Sequence, residues 1–239
     1  MEGNFRINKY LTQVANCSRR QADELIKAGR VTVNGSPAQL GQLIFPYDEI
    51  MLDGRKLDAP GKYVVLAWYK PVGVTCTERD VHAGRTISDV FSYPVRVTYA
   101  GRLDKDSEGL LILSNDGDLL HDMMYGAAGH EKEYIVKVDR EITDAFIRGM
   151  SSGVYLKELK QTTRPCTVER EGKYTFRIVL TQGLNRQIRR MCAVFGYQVK
   201  SLKRVRVLNI LLKDLKPGQY RQIEGDELAR LYAITHVCR

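Results

Sequence analysis

Residues 101–118 read GRLDKDSEGLLILSNDGD. The first nine positions hold three acids and two bases between Gly101 and Gly109, and the next four, Leu110–Leu113, are all apolar. A polar segment bounded by glycines and followed by a short apolar run is typical of a loop that leads into a buried strand. Because loops between strands often carry function, this carboxylate-rich segment is the first candidate for a site of chemistry.

Short β-rich runs recur on both sides of this segment. They are Tyr63–Trp68, Val95–Tyr99, Leu110–Ser114, Tyr134–Val138, Thr175–Leu180 and Val205–Leu212. Two stretches with helical spacing, Thr143–Met150 and Asn185–Phe195, interrupt them. The pattern predicts an α+β domain over residues 61–239, built on a mainly antiparallel sheet.

Residues 1–60 follow a different pattern. Apolar residues at helical spacing predict a first helix; they are Ile7, Tyr10, Leu11 and Val14. Ser18 stands three places before Gln21, which is the capping-box signal of a second helix, and Gly29 closes it. A strand at 31–33 and turns at 34–35 and 53–54 follow, and DAPG at 58–61 is interpreted as a linker. These signals predict a small α/β module before the larger domain.

Basic residues are concentrated in one part of the chain. The 239 residues carry 37 Lys and Arg against 28 Asp and Glu, a formal net charge of +9 at pH 7. Residues 172–213 contain ten of these bases and no acid. Such clustering predicts a polyanion-binding surface.

The sequence gives no signal for export or for a membrane span. The first residues, MEGNFR, lack the apolar core of a signal peptide, and apolar runs such as Val64–Trp68 are too short to cross a bilayer. The five cysteines are odd in number and widely spaced, which suits neither a disulfide framework nor a zinc site. We therefore expect a cytoplasmic protein with reduced thiols, no metal and no membrane partner.

From the residues alone, three interpretations of the carboxylate segment stay open. In the first it is a calcium loop, although Asn115 stands where the bidentate Glu should be and an apolar run follows. In the second, four aspartates hold magnesium for a nuclease or a phosphoryl-transfer enzyme: Asp104, Asp106, Asp116 and Asp118. In the third, one carboxylate is a nucleophile or base, and the neighbouring Arg102 occupies space or contacts phosphate in a nucleic acid.

The amino-terminal module resembles a known RNA-binding domain. The runs RINKYL at 6–11, CSRRQA at 17–22 and GRVTVNG at 29–35 are similar to those of the S4 domain. The resemblance implies a module that grips structured RNA through paired helices and basic side chains. The candidate RNA-binding residues are Lys9, Arg19, Arg20, Lys27 and Arg30.

The larger domain resembles the RsuA-type pseudouridine synthases, a family whose members carry an S4 domain. Its motifs occur in order as KPVGV at 70–74, GRLD at 101–104 with GLLILSNDG at 109–117, KEY at 132–134, and GLNRQIRRM at 183–191. These enzymes break the N1–C1′ bond of uridine, turn the uracil and join C5 to C1′. No redox step occurs and the formula does not change, so no cofactor is expected.

The resemblance also assigns roles to residues. Asp104 is the catalytic carboxylate, Arg189 pairs with it, and Tyr134 stacks on the extruded uracil and relays the C5 proton. Ile188 lines the uracil pocket and Arg102 fills the space that the base leaves. Three weaker assignments are Lys70, which braces the pocket or contacts phosphate, and Arg186 and Arg190, which meet phosphate.

Within the family, residues 130–150 and FGYQVK at 195–200 are most similar to the branch called large-subunit ribosomal RNA pseudouridine synthase F. That similarity implies a monomer that acts on large-subunit ribosomal RNA near the peptidyl-transferase centre, and admits a tyrosine tRNA as a second substrate. Ser107 stands where threonine is commoner, and Leu184 where lysine is common. The alternative from another class is a non-catalytic RNA-binding or ribosome-assembly protein of the same fold.

Overall fold

The computed structural model of the chain describes residues 5–58, 61–77, 84–124 and 129–237. They group into two units: residues 1–63 with 93–97, and residues 64–92 with 98–239. The predicted linker at 58–61 includes two positions, 59 and 60, that lie outside the described residues. Among the described helices, none has the length and apolar character that a membrane span requires.

The first unit pairs two short helices with small antiparallel sheets. Its elements are β1 (Phe5–Arg6), α1 (Ile7–Val14), α2 (Arg19–Lys27), β2 (Val31–Val33), β3 (Ser36–Pro37), β4 (Leu43–Ile44), β5 (Ile50–Leu52) and β6 (Arg55–Lys56). Four strands lie in the order β3-β2-β5-β6, and β1 pairs with β4. Both predicted helices are confirmed, and the Ser18 hydroxyl and the Gln21 side chain form the expected capping box.

Both predicted turns of this unit have the backbone that a two-residue hairpin needs. Asn34 and Gly35 have φ of 51° and 80°, and Asp53 and Gly54 have φ of 51° and 75°. Positive φ at both central positions matches the type I′ turn, which Asn-Gly and Asp-Gly favour.

The second unit is built around a nine-stranded sheet. The strands of the second unit, nine of which belong to this sheet, are β7 (Val65–Lys70), β8 (Thr98–Ala100), β9 (Glu108–Ser114), β10 (Lys132–Val138), β11 (Tyr155–Leu156), β12 (Gln161–Thr162), β13 (Thr167–Gly172), β14 (Thr175–Leu180), β15 (Val199–Val207), β16 (Ile210–Leu211) and β17 (Tyr220–Gln222). Its helices are α3 (Ile87–Val90), α4 (Gly117–Met124), α5 (Asp144–Ser151), α6 (Gln187–Val194) and α7 (Gly225–Ile234).

The strands of the main sheet lie in the order β13-β14-β10-β15-β9-β7-β17, with β16 on β15 and β8 on β9. Strands β9 and β15 pair in parallel, and the other paired strands of the described residues are antiparallel. The predicted mainly antiparallel α+β domain is thus confirmed.

Two of the predicted strands have different bounds. The run Val205–Leu212 is two strands, because the chain turns between β15 and β16 at Leu208, whose φ is 53°. The run Val95–Tyr99 begins as strand only at Thr98, and residues 93–97 group with the first unit. No glycine or proline marks either break, so an apolar run alone could not reveal it.

Candidate active site

A cleft of about 280 Å³ opens on the second unit beside β10 and the start of α6. Its walls come from the segment before β9, from the end of α4, from β10, β15 and from the segment between β14 and α6. The lining residues are Gly101, Arg102, Leu103, Asp104, Ser107, Met123, Met124, His130, Lys132, Tyr134, Leu180, Thr181, Gln182, Gly183, Leu184, Arg186, Gln187, Ile188, Arg189, Leu202 and Arg204. The cleft therefore unites three of the four sequence motifs.

Lys70 supports the carboxylate segment through hydrogen bonds to backbone carbonyls. Its side chain is fully buried at the end of β7, and its ammonium donates hydrogen bonds to the carbonyl oxygens of Ser107 at 2.7 Å and Pro71 at 3.0 Å. Burial lowers the pKa of Lys70. Of the two roles predicted for Lys70, these contacts support the bracing role, because Lys70 does not line the cleft and its ammonium already binds two backbone carbonyls.

Further hydrogen bonds fix the backbone of residues 101–107. Gly73 N–H donates to the Lys105 carbonyl at 2.7 Å, and Ser107 N–H donates to the Asp104 carbonyl at 3.0 Å. Leu103 N–H lies 3.4 Å from the Cys76 sulfur. The bonds to Gly73 and Cys76 tie this segment to the KPVGV motif and to the residues just after it. Two motifs that are distant in the sequence therefore pack together.

Asp104 lies at the cleft with about a third of its side chain exposed. The nearest cationic group is Arg186, whose Nη1 is 3.7 Å from Asp104 Oδ2. Arg186 also binds Asp106 through two hydrogen bonds of 2.9 Å and 3.2 Å. One guanidinium therefore joins the two carboxylates of the segment.

In this structure Arg189 contacts Asp106 and Ser107, and not Asp104, the partner that the resemblance implied. Arg189 Nη2 donates to the Asp106 carbonyl at 2.8 Å and to Ser107 Oγ at 3.3 Å, and it is 3.4 Å from Asp106 Oδ2. Arg186 stands at the N-cap of α6 with φ of 50°, outside the helix, and takes the position beside Asp104. Helical spacing could not foresee this, because the arginine that reaches Asp104 is not on a regular turn.

Asp106 is the centre of this charge cluster. Burial pushes the pKa of its carboxyl upward, but the hydrogen bond from Arg186 and the charges of Arg189 and Arg186 outweigh burial and hold that pKa below its ordinary value. Asp106 thus stays ionised and keeps both arginines in place.

Tyr134 and Ile188 both line the cleft. Tyr134 lines the cleft from β10 with 9% of its surface exposed, and Ile188 lines it from α6 with 5% exposed. Arg102 also lines the cleft, but its side chain is exposed. An aromatic ring, an apolar wall and an exposed guanidinium around one carboxylate form a cavity suited to a single extruded base.

Comparison with known proteins identifies the family to which this chain belongs. The sequence model described as RNA pseudouridylate synthase matches residues 64–194, and the S4 domain model matches residues 5–50. The chain belongs to the RNA pseudouridine synthase family. It is an S4-containing enzyme of that family, as the motifs predicted.

Individual relatives cover almost the whole synthase. The dual-specificity RNA pseudouridine synthase RluF of Escherichia coli (strain K12) is 42% identical over 235 residues, which is 98% of this chain and 80% of the relative. The ribosomal large subunit pseudouridine synthase B of Bacillus subtilis (strain 168) is 34% identical over 238 residues, 96% of each chain. A crystal structure of a pseudouridylate synthase superimposes with a TM-score of 0.69 at 27% identity, over 95% of this chain and 99% of that one.

The basic residues of the synthase's first unit differ in their surroundings. Arg19, Arg20 and Lys27 are exposed on α2 and form no ion pair within the described residues. Arg30 is held by Asp53 through hydrogen bonds of 2.8 Å and 2.5 Å. The Lys9 ammonium lies 5.9 Å from the centre of the Phe5 ring. The three residues of α2 are therefore the most available for phosphate.

The acid-free segment 172–213 is not a free basic surface. Seven of its ten basic side chains form ion pairs with acids from other parts of the synthase: Lys173, Arg177, Arg186, Arg189, Arg190, Arg206 and Lys213. Arg190, a predicted phosphate contact, pairs with Glu158. Most of the positive charge of segment 172–213 is therefore neutralised by acids that lie elsewhere in the chain.

The two metal interpretations do not fit the structure. Asp104 and Asp106 precede β9, whereas Asp116 and Asp118 follow it, and a seven-residue strand separates the pairs by about 20 Å. Glu108 belongs to β9 and accepts a hydrogen bond of 2.9 Å from the Tyr69 hydroxyl. Asp116 is fully buried and accepts hydrogen bonds from the first backbone N–H groups of α4. The described residues contain no group of three or more His, Cys, Asp or Glu that could hold a metal.

The structure adds cleft residues that the sequence analysis missed. Arg204 and Lys132 line the cleft, and Asp106 stands behind it. Lys132 is part of the KEY motif, but the sequence analysis assigned it no role. Arg204 had no signal, since it is one base among several in a strand.

Proposed function

We propose that this RNA pseudouridine synthase isomerises a specific uridine of large-subunit ribosomal RNA, and that Asp104 is its catalytic carboxylate. One observation carries the assignment: among the described residues that line the cleft, Asp104 is the only carboxylate. Arg186 Nη1 lies 3.7 Å from Asp104 Oδ2 and helps to hold this carboxylate in place at the cleft.

The reaction needs the target base outside the RNA stack. Unstacking costs a few kcal/mol, which contacts elsewhere offset. The Tyr134 ring offers one face to the uracil, and Ile188 the apolar wall beside it. Exposed Arg102 stands where it can fill the space left in the RNA. The carboxylate of Asp104 then acts at C1′, at C6 of the ring, or on the C2′ proton; these routes share the same residues.

The substrate assignment rests on the relatives. One is a dual-specificity RNA pseudouridine synthase and another acts on the large ribosomal subunit, by their names. We extend this to a large-subunit uridine near the peptidyl-transferase centre, with a tyrosine tRNA as a second substrate. A monomer in the cytoplasm, with residues 1–60 as the S4 module and 61–239 as the catalytic domain, fits that role.

The test is a pseudouridine map of total RNA from cells that lack the gene, rescued with the wild type, with Asp104→Asn, or with Asp214→Asn. Asp214 is an exposed carboxylate outside the cleft and serves as the control. We expect one ribosomal uridine to lose its modification, and the wild type and the control variant to restore it.

Asp104→Asn should bind RNA while its turnover falls by several orders of magnitude, each tenfold loss being about 1.4 kcal/mol. Restoration by Asp104→Asn would refute Asp104 as the catalytic residue. No difference between deleted and wild-type cells would favour the non-catalytic RNA-binding role instead.

A further inference from the structure

Three hydrogen-bond donors at the cleft have no acceptor. The described residues include five buried side-chain polar atoms without a partner, and three belong to residues that line the cleft: Gln182 Nε2, Arg189 Nε and Arg204 Nη2. Most buried polar atoms of proteins are paired, and an unpaired one costs about 1–3 kcal/mol. Three unpaired donors around one cavity indicate a ligand that brings acceptors.

Arg204 is the most deeply placed of the three. Its residue is 2% exposed, and its Nε donates to the Leu110 carbonyl at 2.7 Å, which fixes the guanidinium but leaves Nη2 unpaired. On the sheet it is the register partner of Tyr134. Since directly opposed residues of antiparallel strands project from the same face, Arg204 stands beside the ring proposed to stack on uracil.

Lys132 provides a second cation on this floor. It lies two residues before Tyr134 on β10, so both side chains project from one face of the strand. Its ammonium donates to the His130 carbonyl at 3.1 Å. Burial, and after it the positive charge of Arg204, lowers the pKa of Lys132. Neither cation forms an ion pair with a carboxylate in the described part of the chain.

A buried cation and a half-buried one that lie close together without a counter-charge repel each other, and the repulsion is relieved when an anion or a strong acceptor joins them. We propose that Arg204 and Lys132 bind the carbonyl oxygens of the target uracil and stabilise the uracil anion that forms when the N1–C1′ bond breaks. The inference rests on the proposed function, because it requires that uridine enters this cleft.

The step balances without any further reagent. When the bond breaks, its electron pair stays with N1, and the negative charge spreads over N1, O2 and O4 of the ring. The sugar carbon is left bonded to the Asp104 carboxylate, or has lost its C2′ proton to it. After the ring turns, the electron pair at C5 forms the new bond to C1′ while the bond between C1′ and Asp104 breaks, or while C2′ regains its proton from Asp104. The C5 proton is then removed and N1 gains a proton, so Asp104 is regenerated and the formula is unchanged.

A backbone phosphate fits this position less well than a uracil. Arg204 lies on the floor of the cleft beside apolar Leu202, whereas the exposed bases at its walls are Arg102 and Arg186. A phosphodiester remains at the surface of the RNA and meets the exposed side chains, while a flat base with two carbonyl oxygens reaches the floor.

The experiment compares Lys132→Met with Lys137→Met, an exposed lysine on the same strand, and with Arg204→Gln. Single-turnover loss of the target nucleoside is measured by mass spectrometry of nuclease fragments of large-subunit ribosomal RNA of the source organism, transcribed with uridine or with 5-fluorouridine. The rearranged 5-fluorouridine has no C5 proton to lose, so its product keeps the fluorine at C5 and adds water across N1 and C6. Fluorine withdraws electrons, so 5-fluorouracil is the better leaving group and needs less stabilisation.

We expect Lys132→Met to slow conversion of the uridine RNA by about 10²-fold, the scale for losing one donor to a developing anion. The slowing should be at least about tenfold smaller on the 5-fluorouridine RNA, with the Kd for RNA changed by less than about threefold. Lys137→Met should match the wild type on both RNAs. Arg204→Gln should show the same substrate dependence if it folds, and Lys132→Met tests the proposal alone if it does not.

Equal slowing of Lys132→Met on both RNAs, or no slowing on either, would overturn the leaving-group role. A wild-type enzyme that converts neither RNA would instead contradict the proposed substrate. The failure of one proposal is therefore distinguishable from the failure of the other.

Discussion

At the scale of single residues, the arrangement around Asp104 depends on a second carboxylate. Asp106 does not line the cleft, yet it binds Arg186 through both guanidinium nitrogens and also meets Arg189. A bidentate contact fixes the plane of the guanidinium as well as its position. Asp106 is thus a positioning residue for the groups that touch the substrate.

We expect Asp106→Asn to lower the single-turnover rate by about 10–100-fold, because a misplaced catalytic group loses rate without a change in chemistry. The Kd for RNA should hardly change. KM for RNA should also stay within about threefold of the wild type, since Asp106 does not line the cleft. A rate like that of Asp214→Asn would show that Asp106 has no such role.

The periodicity of a helix or strand indicates which face a residue is on, but it does not indicate which partner a residue meets in a loop. Tyr134 and Ile188 lie in regular elements, and both line the cleft. Lys70 also lies in a regular strand, but its burial depends on the loop at 101–107 lying over it. The choice of Arg186 over Arg189 depends on one αL residue, which no periodicity reports.

At the scale of elements, the parallel contact between β9 and β15 depends on Gly109. A Cβ at this position would lie 2.2 Å from the Arg204 carbonyl oxygen, and Gly109 has φ of 108°, which other residues rarely adopt. Strands β9 and β15 can therefore meet here only with glycine at position 109.

Gly109→Ala should lower the free energy of unfolding by about 2–4 kcal/mol through overpacking and backbone strain. Gly172→Ala is the matched control, because no atom lies within 4 Å of a Cβ built on that strand glycine. Urea denaturation of both variants measures the difference. Equal midpoints for the two would show that β9 and β15 can separate at little cost.

A second element-scale feature is the ion-pair network on the opposite face of β10. Glu133 binds Arg177 of β14 and, at 2.7 Å, Arg206 of β15, so one carboxylate links three strands. Burial pushes the pKa of Glu133 upward, but hydrogen bonds from Arg206 and Arg177 outweigh it and hold that pKa below its ordinary value.

Because the folded pKa of Glu133 is depressed, its stabilisation is present above the unfolded pKa of about 4.3 and is lost as pH falls through the folded value. Glu133→Gln should therefore lower the free energy of unfolding by about 1–3 kcal/mol at pH 7. The gap to the wild type should narrow as pH falls below the unfolded pKa of about 4.3. Denaturation curves from pH 3 to 7 test this, with exposed Glu24→Gln as the control; a gap independent of pH would contradict it.

Many elements could be predicted, but several elements of the second unit were not, among them α3, α7, β11, β12 and β17. The helices α1, α2, α5 and α6 have caps or apolar spacing that the sequence displays. Strand β13 and helix α4 were not predicted: β13 is mostly exposed and polar, and α4 begins directly after a strand, capped by buried Asp116. Both are defined by their neighbours more than by their own pattern.

At the scale of the whole molecule, net charge overstates the basic surface of the catalytic unit. Seven of the ten bases in 172–213 are paired with acids, so a linear count is a poor guide to RNA affinity. The exposed bases of α2, in contrast, have no carboxylate partner among the described residues. We place most of the phosphate binding on that helix.

Replacing Arg19, Arg20 and Lys27 together by Ala should weaken RNA binding at least about tenfold and reduce the slope of log K against log salt by about two to three. Turnover at saturating RNA should remain close to that of the wild type. Arg30→Ala, which removes a guanidinium already held by Asp53, should change the slope less. An unchanged slope in the triple variant would move the phosphate contacts elsewhere.

The anchoring of residues 101–107 has a consequence for how targets are chosen. Hydrogen bonds from Lys70, Gly73 and Arg189 order this segment without any help from RNA. The conformational entropy lost on binding is therefore mainly that of the RNA, because the RNA must unstack the target base and place it in a cavity that is already formed. The choice between uridines then depends on the free energy needed to unstack each base. A base in a strained loop unstacks at low cost, whereas the same sequence in a stable helix does not.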